Sequence, residues 1–105
     1  MANEFNNATA VDVTAQTTVY TATSDSIVLE LDIANTTNGA VTASAKLYDL
    51  TETAFAHIVK DAPIPSGGSL QVISGQKVVL KTGDYLCVVA SGNCDVICSI
   101  LEAVN

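Results

Sequence analysis

From Thr18 onward, apolar and polar residues alternate in short runs, which is the period of half-buried β-strands. "TVYTA" opens the series. In "SIVLELDIAN" the alternation sets Ile27, Leu29, Leu31 and Ile33 on one face and Val28, Glu30, Asp32 and Ala34 on the other. Asn38-Gly39 is a strong turn signal. After it, "VTASAKLYD" turns Val41, Ala43, Ala45 and Leu47 inward and Thr42, Ser44, Lys46 and Tyr48 outward. "AFAHIVK" sets Phe55, His57 and Val59 against Ala56 and Ile58. "LQVI" stops at Ser74-Gly75 and "KVVL" at "KTGD", while "YLCVVA" and "DVICSILEAV" flank the turn "SGNC".

"DAPIPSGGS" breaks the series. Pro63 and Pro65 have no N–H to give a central ladder, so this stretch is expected to bridge from one sheet to another. The prolines fix the backbone with little entropy left to lose. Gly67 and Gly68 then allow a sharp corner. The result is a rigid loop at one edge, with Ile64 at its centre.

The runs add up to about eight short strands with turn signals between them. They predict an all-β chain, a single β-sandwich of immunoglobulin-like or jelly-roll type, the choice resting on strand pairing. Residues 1–17 are polar and weakly periodic. They predict a flexible N-terminal arm with a short strand at Ala10–Val13, either a frayed terminus or an arm that orders on a neighbouring subunit. The sandwich then spans residues 18–105.

The length of 105 residues fits one domain burying roughly two-thirds of its unfolded surface, enough for a core without metal or disulfide staples. Hydrophobic residues make up 49% and charged residues 14%, so the surface relies on Thr, Ser and Asn and tolerates burial against partners. The net charge of −7, with four lysines and no arginine, argues against nucleic-acid binding. No apolar run approaches the roughly 20 residues of a membrane helix. "MANEFNNATAVDVTAQ" lacks the marks of a signal peptide, so the expectation is assembly in a cytosol with no membrane partner.

Candidate chemistry is sparse. If Gly92-Asn93 forms a two-residue hairpin loop, Cys87 faces Cys98 and a cross-strand disulfide is conceivable. The odd count of three cysteines favours reduced thiols, with Cys87 and Cys98 as small core hydrophobes. Cys94 sits at the turn. No metal or other cofactor is expected, because the cysteines and His57 lack a zinc spacing and the acids lack an EF-hand spacing. His57, the single histidine, stands in an alternating strand without a nucleophile or orienting partner, and reads as a sheet or interface residue. Asp84 in "KTGDY" reads as turn chemistry. Of five aromatics, Phe55 and Tyr85 are expected in the core, leaving Tyr20 and Tyr48 for any sugar platform. No constellation meets the needs of an enzyme.

Three stretches carry a resemblance: "LELDIANTTNGAVTASAKLYD", "HIVKDAPIPSGGSLQVISGQKVVLKTGDYLCVVAS" and "DVICSILE". Over about residues 18–102 the chain resembles small β-sandwich structural proteins of tailed bacteriophages. These proteins share an "ANTT" before a turn and a "VKDAPIP" run leading to two final strands. The cysteines of the last two strands depart from that pattern, where Ala or Val is expected. The resemblance implies a virion component assembled in the host cytoplasm. Small size, acidity and the arm point to a capsid decoration or cement protein. It would bind between major capsid protein subunits as a dimer or trimer. A neck, tail or fibre-attachment component is the alternative, and a carbohydrate or host-surface module a further one. Interface candidates are Pro63, Ile64, Pro65, Tyr48 and His57.

Overall fold

A computed structural model describes residues 4–103. Eight strands form in chain order: β1 (Glu4–Val13), β2 (Thr17–Thr21), β3 (Ser26–Asn35), β4 (Val41–Asp49), β5 (Ala54–Ile64), β6 (Ser69–Leu80), β7 (Tyr85–Ala90) and β8 (Cys94–Glu102). Sheet A has the order β1-β8-β3-β6 and sheet B the order β2-β7-β4-β5. All pairs are antiparallel.

Strand order decides between the two sandwich types. β1 pairs β8, β2 pairs β7, β3 pairs β6 and β4 pairs β5, so the chain is one long folded-back ribbon with the β4–β5 hairpin at its tip. The ribbon is rolled so that β8 meets β3 and β7 meets β4. That is a jelly roll. β4–β5 is the one sequential pair within a sheet; the other connections each cross from one sheet to the other. Asp49 builds the hairpin turn, its Oδ1 accepting from the N–H groups of Thr51 and Glu52 at 3.0 and 3.3 Å.

The core lies between the sheets. Val28, Leu31, Ile33, Ile73, Leu80, Val96, Cys98 and Ile100 of sheet A face Val41, Ala43, Ala45, Ile64, Leu86 and Val88 of sheet B. Two polar devices close its ends. At one end Tyr20 of sheet B donates to Glu102 Oε2 of sheet A at 2.5 Å, and Asn6 donates to Oε1 at 3.1 Å. Burial first, and then the bond to Glu102, raise the Tyr20 phenol, while the same bond is the main cause lowering the Glu102 carboxyl.

At the other end stands Asn35, 3% exposed. Its Nδ2 donates to the carbonyls of Gly39, Ile64 and Pro65 at 2.8, 3.0 and 3.2 Å. Its Oδ1 accepts from the N–H and hydroxyl of Thr37, both at 2.8 Å. One side chain thus locks the loop after β3 to the crossover after β5. "ANTT" and "APIP" are two halves of one joint.

Several sequence expectations need correction. The arm expected over residues 1–17 is a ten-residue edge strand from Glu4 on, paired to β8. Residues 1–3 lie outside the described part. β1 shows weak periodicity because an edge strand on a sandwich buries little: Ala8, Ala10 and Val13 carry what burial it has. "LQVI" and "KVVL" are one strand, β6, in which Gly75, Gln76 and Lys77 oppose the single residue Leu29 of β3. Gly75 bridges the gap with a φ of 93°. The same irregularity makes Leu29 an extra residue against β8, which switches faces within β3. Leu31 and Ile33 point inward as expected, but before the bulge it is Val28 that is buried and Ile27 that faces out. β5 runs on through Pro63, which an edge strand tolerates. The crossing to sheet A follows at Pro65–Gly68, where that bridge was expected.

Candidate aromatic face

The outer face of sheet B carries the one cluster of large, partly exposed aromatic side chains among the described residues. Tyr48 on β4 is in register with Tyr85 on β7 and with Phe55 on β5. The Tyr48 and Tyr85 rings stack at 4.8 Å with 20° between planes. Phe55 stands edge-on to both, at 4.9 and 6.0 Å. Such offset and edge contacts are favourable arrangements of aromatic quadrupoles. Phe55 keeps 41% of its surface exposed. Desolvation first, and then Cys87 and Tyr48, raise the Tyr85 phenol, which stays protonated at neutral pH.

The next row of the sheet is polar: Thr18, Cys87, Lys46 and His57 stand in register across β2, β7, β4 and β5. The Lys46 ammonium lies 4.7 Å from the Phe55 ring centre, a cation–π contact, and donates to Gln16 Oε1. Cys87 is 1% exposed yet stands outside the core cluster. It sits on the outer face, with the Thr18 hydroxyl 3.7 Å from its sulfur. The arrangement offers a flat, rigid apolar platform beside one cation, one imidazole and one amide. Such a platform has the chemistry to grip a partner surface or a sugar ring.

This corrects the placing of Phe55 and Tyr85 in the core. The register makes the reason plain. A four-residue turn, Leu50–Thr53, sets Phe55 opposite the outward Tyr48, and β7 returns antiparallel beside β4 with Tyr85 at the same level. The alternation in "VTASAKLYD" already pointed Tyr48 out; recognising the hairpin would have carried Phe55 with it. Val59 parts from Phe55 and His57, because Ile58 is an extra residue that turns β5 and sends Val59 toward the core.

The interface candidates divide. Tyr48 and His57 belong to this face, and Pro63 lies exposed further along β5. Pro65 is exposed at the crossover. Ile64 is 1% exposed and fills the core, so it cannot touch a partner. Its neighbours being prolines hid this: the strand continues through them, and inward pointing at Ala62 and Ile64 continues too.

The proposed facing of Cys87 and Cys98 does not occur. The turn at Gly92-Asn93 is a crossover between sheets rather than a hairpin, so β7 and β8 never pair. All three thiols are free and buried. Cys98, but not Cys87, is in the core, where burial pushes its thiol up to about 12. Asp84 is indeed a turn residue. It accepts from the Lys81 and Leu50 N–H groups, both at 3.0 Å, joining two loops.

Sheet A has its own outer pattern. Phe5, Leu101, Ile27 and Val79 stand in one register row across its four strands. Phe5 and Val79 are 79% and 60% exposed. Two levels away, Asp32 lies between Ile97 and Gln71. Its Oδ1 is buried without a hydrogen-bond partner among the described residues. Desolvation first, and then the hydrogen bond and charge of Glu30, push its carboxyl up to about 6. A depression of about 260 Å³ beside β1 is lined by Phe5, Asn6, Asn7, Leu29, Ser99 and Ile100, none of them titratable. Among the described residues no three His, Cys, Asp or Glu side chains gather closely enough to hold a metal ion.

No protein-family model matches the chain, and no curated protein matches it. Among solved structures it is similar to a chain of the disulfide-linked pili formed by Bacillus endospore appendages. The TM-score is 0.49 at 10% identity, covering 99% of this chain and 88% of that one. It is also similar to a hydroquinone 1,2-dioxygenase in complex with Cd2+ and 4-hydroxybenzonitrile, with a TM-score of 0.35, 16% identity and coverage of 95% and 58%. A third likeness is hydroquinone 1,2-dioxygenase from Sphingomonas sp. TTNP3 with 4-hydroxybenzoate bound, at 0.34, 14%, 97% and 60%. The chain thus spans about three-fifths of the dioxygenase chains. Likenesses this weak decide nothing about activity or partners.

Proposed function

We propose that the protein is a non-enzymatic structural protein that docks on the outside of a larger assembly. The assembly it fits best is the head of a tailed bacteriophage, with the major capsid protein as its partner. The observation that carries docking is the row Tyr85–Tyr48–Phe55, partly exposed on the outer face of sheet B and flanked by Lys46 and His57. Aromatic side chains with few rotamers, next to sparse charge, are what interface centres are made of. The assignment to a phage head rests on the sequence resemblance. The joint at Asn35 gives two of its signatures, "ANTT" and "APIP", a shared architectural cause.

The test is binding of the full chain to purified phage heads that lack it, followed by cosedimentation and electron cryo-microscopy. Density bridging capsid subunits, with occupancy falling at least tenfold in Tyr48→Ala and Phe55→Ala, supports the proposal. Density confined to the neck or tail moves the site and keeps the structural class. No association with any particle overturns it.

The same row favours a second reading, a carbohydrate-binding face. A stacked aromatic platform edged by Lys46, His57 and Gln16 has the apolar floor and polar rim that a sugar ring needs. Binding on a glycan array that disappears in Tyr48→Ala, with no binding to heads, would select it.

A further inference from the structure

We propose that the free edge of β1 is a strand-addition site for a second copy of this chain, giving a two-fold dimer in which sheet A runs on from one copy into the other. This inference does not depend on the phage-head reading.

A sheet edge invites another strand unless something spoils it. Three of the four edges here are spoiled. β5 carries two register breaks, the charged Lys60 and Asp61, a positive φ of 50° at Asp61, and Pro63. β6 is broken by the insertion Gly75–Lys77. β2 has five residues with a register break between Thr18 and Tyr20. β1 has none of these over its first seven residues: the pairs from Glu4↔Glu102 to Ala10↔Val96 are continuous. The stretch Phe5–Val11 contains no charge and no proline.

The hydrogen-bonding groups point the right way. In an antiparallel strand, alternate residues turn their N–H and C=O to opposite edges. The Asn7 N–H is met by its neighbour's side chain, Asn6 Oδ1 at 3.0 Å, rather than by β8. Phe5, Asn7 and Thr9 therefore offer their main-chain groups to the free edge, and Asn6 Oδ1 stands where a strand would lie.

Length and charge choose the register. The unbroken stretch Glu4–Ala10 has its midpoint at Asn7. A two-fold axis there sets Asn7 opposite the partner's Asn7 and Phe5 opposite the partner's Thr9. Glu4 then faces the partner's Ala10. An axis one residue along, at Ala8, would set Glu4 against the partner's Asp12, two like charges. The exposed Phe5 ends the apolar row of sheet A, and this pairing carries that row to the junction between copies.

The experiment is sedimentation equilibrium of the full chain from micromolar to millimolar concentration, at low and moderate salt. The expected mass tends to twice the 10.8 kDa of one chain, and sooner at higher salt because each copy carries −7. Asn7→Pro removes the central free-edge N–H and keeps the main-chain ladder to β8, giving up only the exposed bond from the Ser99 hydroxyl to Asn7 Oδ1 at 3.0 Å, so it should stay folded and sediment as a single chain. Amide exchange supplies a readout that needs no variant. Protection at Phe5, Asn7 and Thr9 should rise with protein concentration, while that at Lys60 stays constant. A single-chain mass throughout, a folded Asn7→Pro that still dimerises, or exchange at these three amides independent of concentration would each overturn the proposal.

Discussion

Asn35 is where a small change should do the most damage. Replacing it with alanine strands the Ile64 carbonyl, whose bond to Asn35 is fully buried, frees the Thr37 N–H at a half-buried position, and takes one donor each from the Gly39 and Pro65 carbonyls, which keep the Thr37 hydroxyl and the Gly68 N–H. A buried unsatisfied group costs about 1–3 kcal/mol, and each partly wet bond about 0.5–1.5 kcal/mol before water recovers some of it. The expected loss is about 3–5 kcal/mol, against the roughly 5–15 kcal/mol that holds a domain of this size together. In a melt that is a fall in Tm of about 15–30 °C. Asn35→Asp sharpens the test because it keeps the shape and the acceptor for Thr37. It turns a donor toward three carbonyl oxygens into a carboxylate. Burial and those oxygens would raise its folded pKa above the unfolded value near 3.9, so the native variant binds the extra proton. Its deficit relative to the parent should therefore shrink as pH falls from 7 toward 4. Urea unfolding followed by circular dichroism at pH 7, 5.5 and 4 reads both effects, with m unchanged. A loss below about 1 kcal/mol in the alanine variant, or a deficit in the aspartate variant that ignores pH, would refute the idea that this joint holds the two loops.

Other outcomes follow from the same structure. Asp32, with a folded pKa near 6 against an ordinary 3.8, weakens the native state above pH 6, and that cost fades as pH drops to 4. Asp32→Asn should be more stable than the parent at pH 7 and show a flatter profile between pH 4 and 6 in urea unfolding. Tyr48→Ala removes two ring contacts worth about 0.5–1.5 kcal/mol each and should lower stability by about 1–3 kcal/mol, read by the same method. The three buried thiols should be silent to Ellman's reagent in the native protein at pH 8 and all react in denaturant. Rapid native labelling of one thiol would refute the cover over Cys87.

What the sequence disclosed, and what it concealed, divides along the connections between strands. Alternation found the strands with a buried face, β3, β4, β7 and β8, because one side of each meets the core and the other meets water. It could not see that almost every turn crosses between sheets. Asn38-Gly39 and Gly92-Asn93 carry hairpin chemistry, yet each joins strands in opposite sheets, and the supposed neighbours Cys87 and Cys98 point to different layers. The jelly roll places β1 beside β8, pairing residues nearly the whole chain apart, and no local signal reports that. Edge strands were the least legible. β1 reads as a polar arm because its stability comes from main-chain bonds to β8 rather than from apolar side chains.

The aromatic face was half visible for a related reason. Exposed Phe55 and half-buried Tyr85 look like core residues when each is read within its own strand, since large aromatics usually bury, whereas alternation already sends Tyr48 outward. Their meaning lies in the register that lines up Tyr85, Tyr48 and Phe55 on the side of sheet B away from the core, and register is a tertiary fact. The two surfaces then separate by physics. On the proposed readings, the sheet B face, which gathers side chains, takes a partner of different shape, and the β1 edge, which presents main chain and uncharged side chains over Phe5–Val11, takes a copy of itself. A molecule with both can cross-link: one surface fastens it to a foreign support, and the other joins two fastened copies. On that reasoning, loss of the edge contact in Asn7→Pro should leave one-to-one binding through the aromatic face intact and abolish the gain in avidity that two linked copies provide.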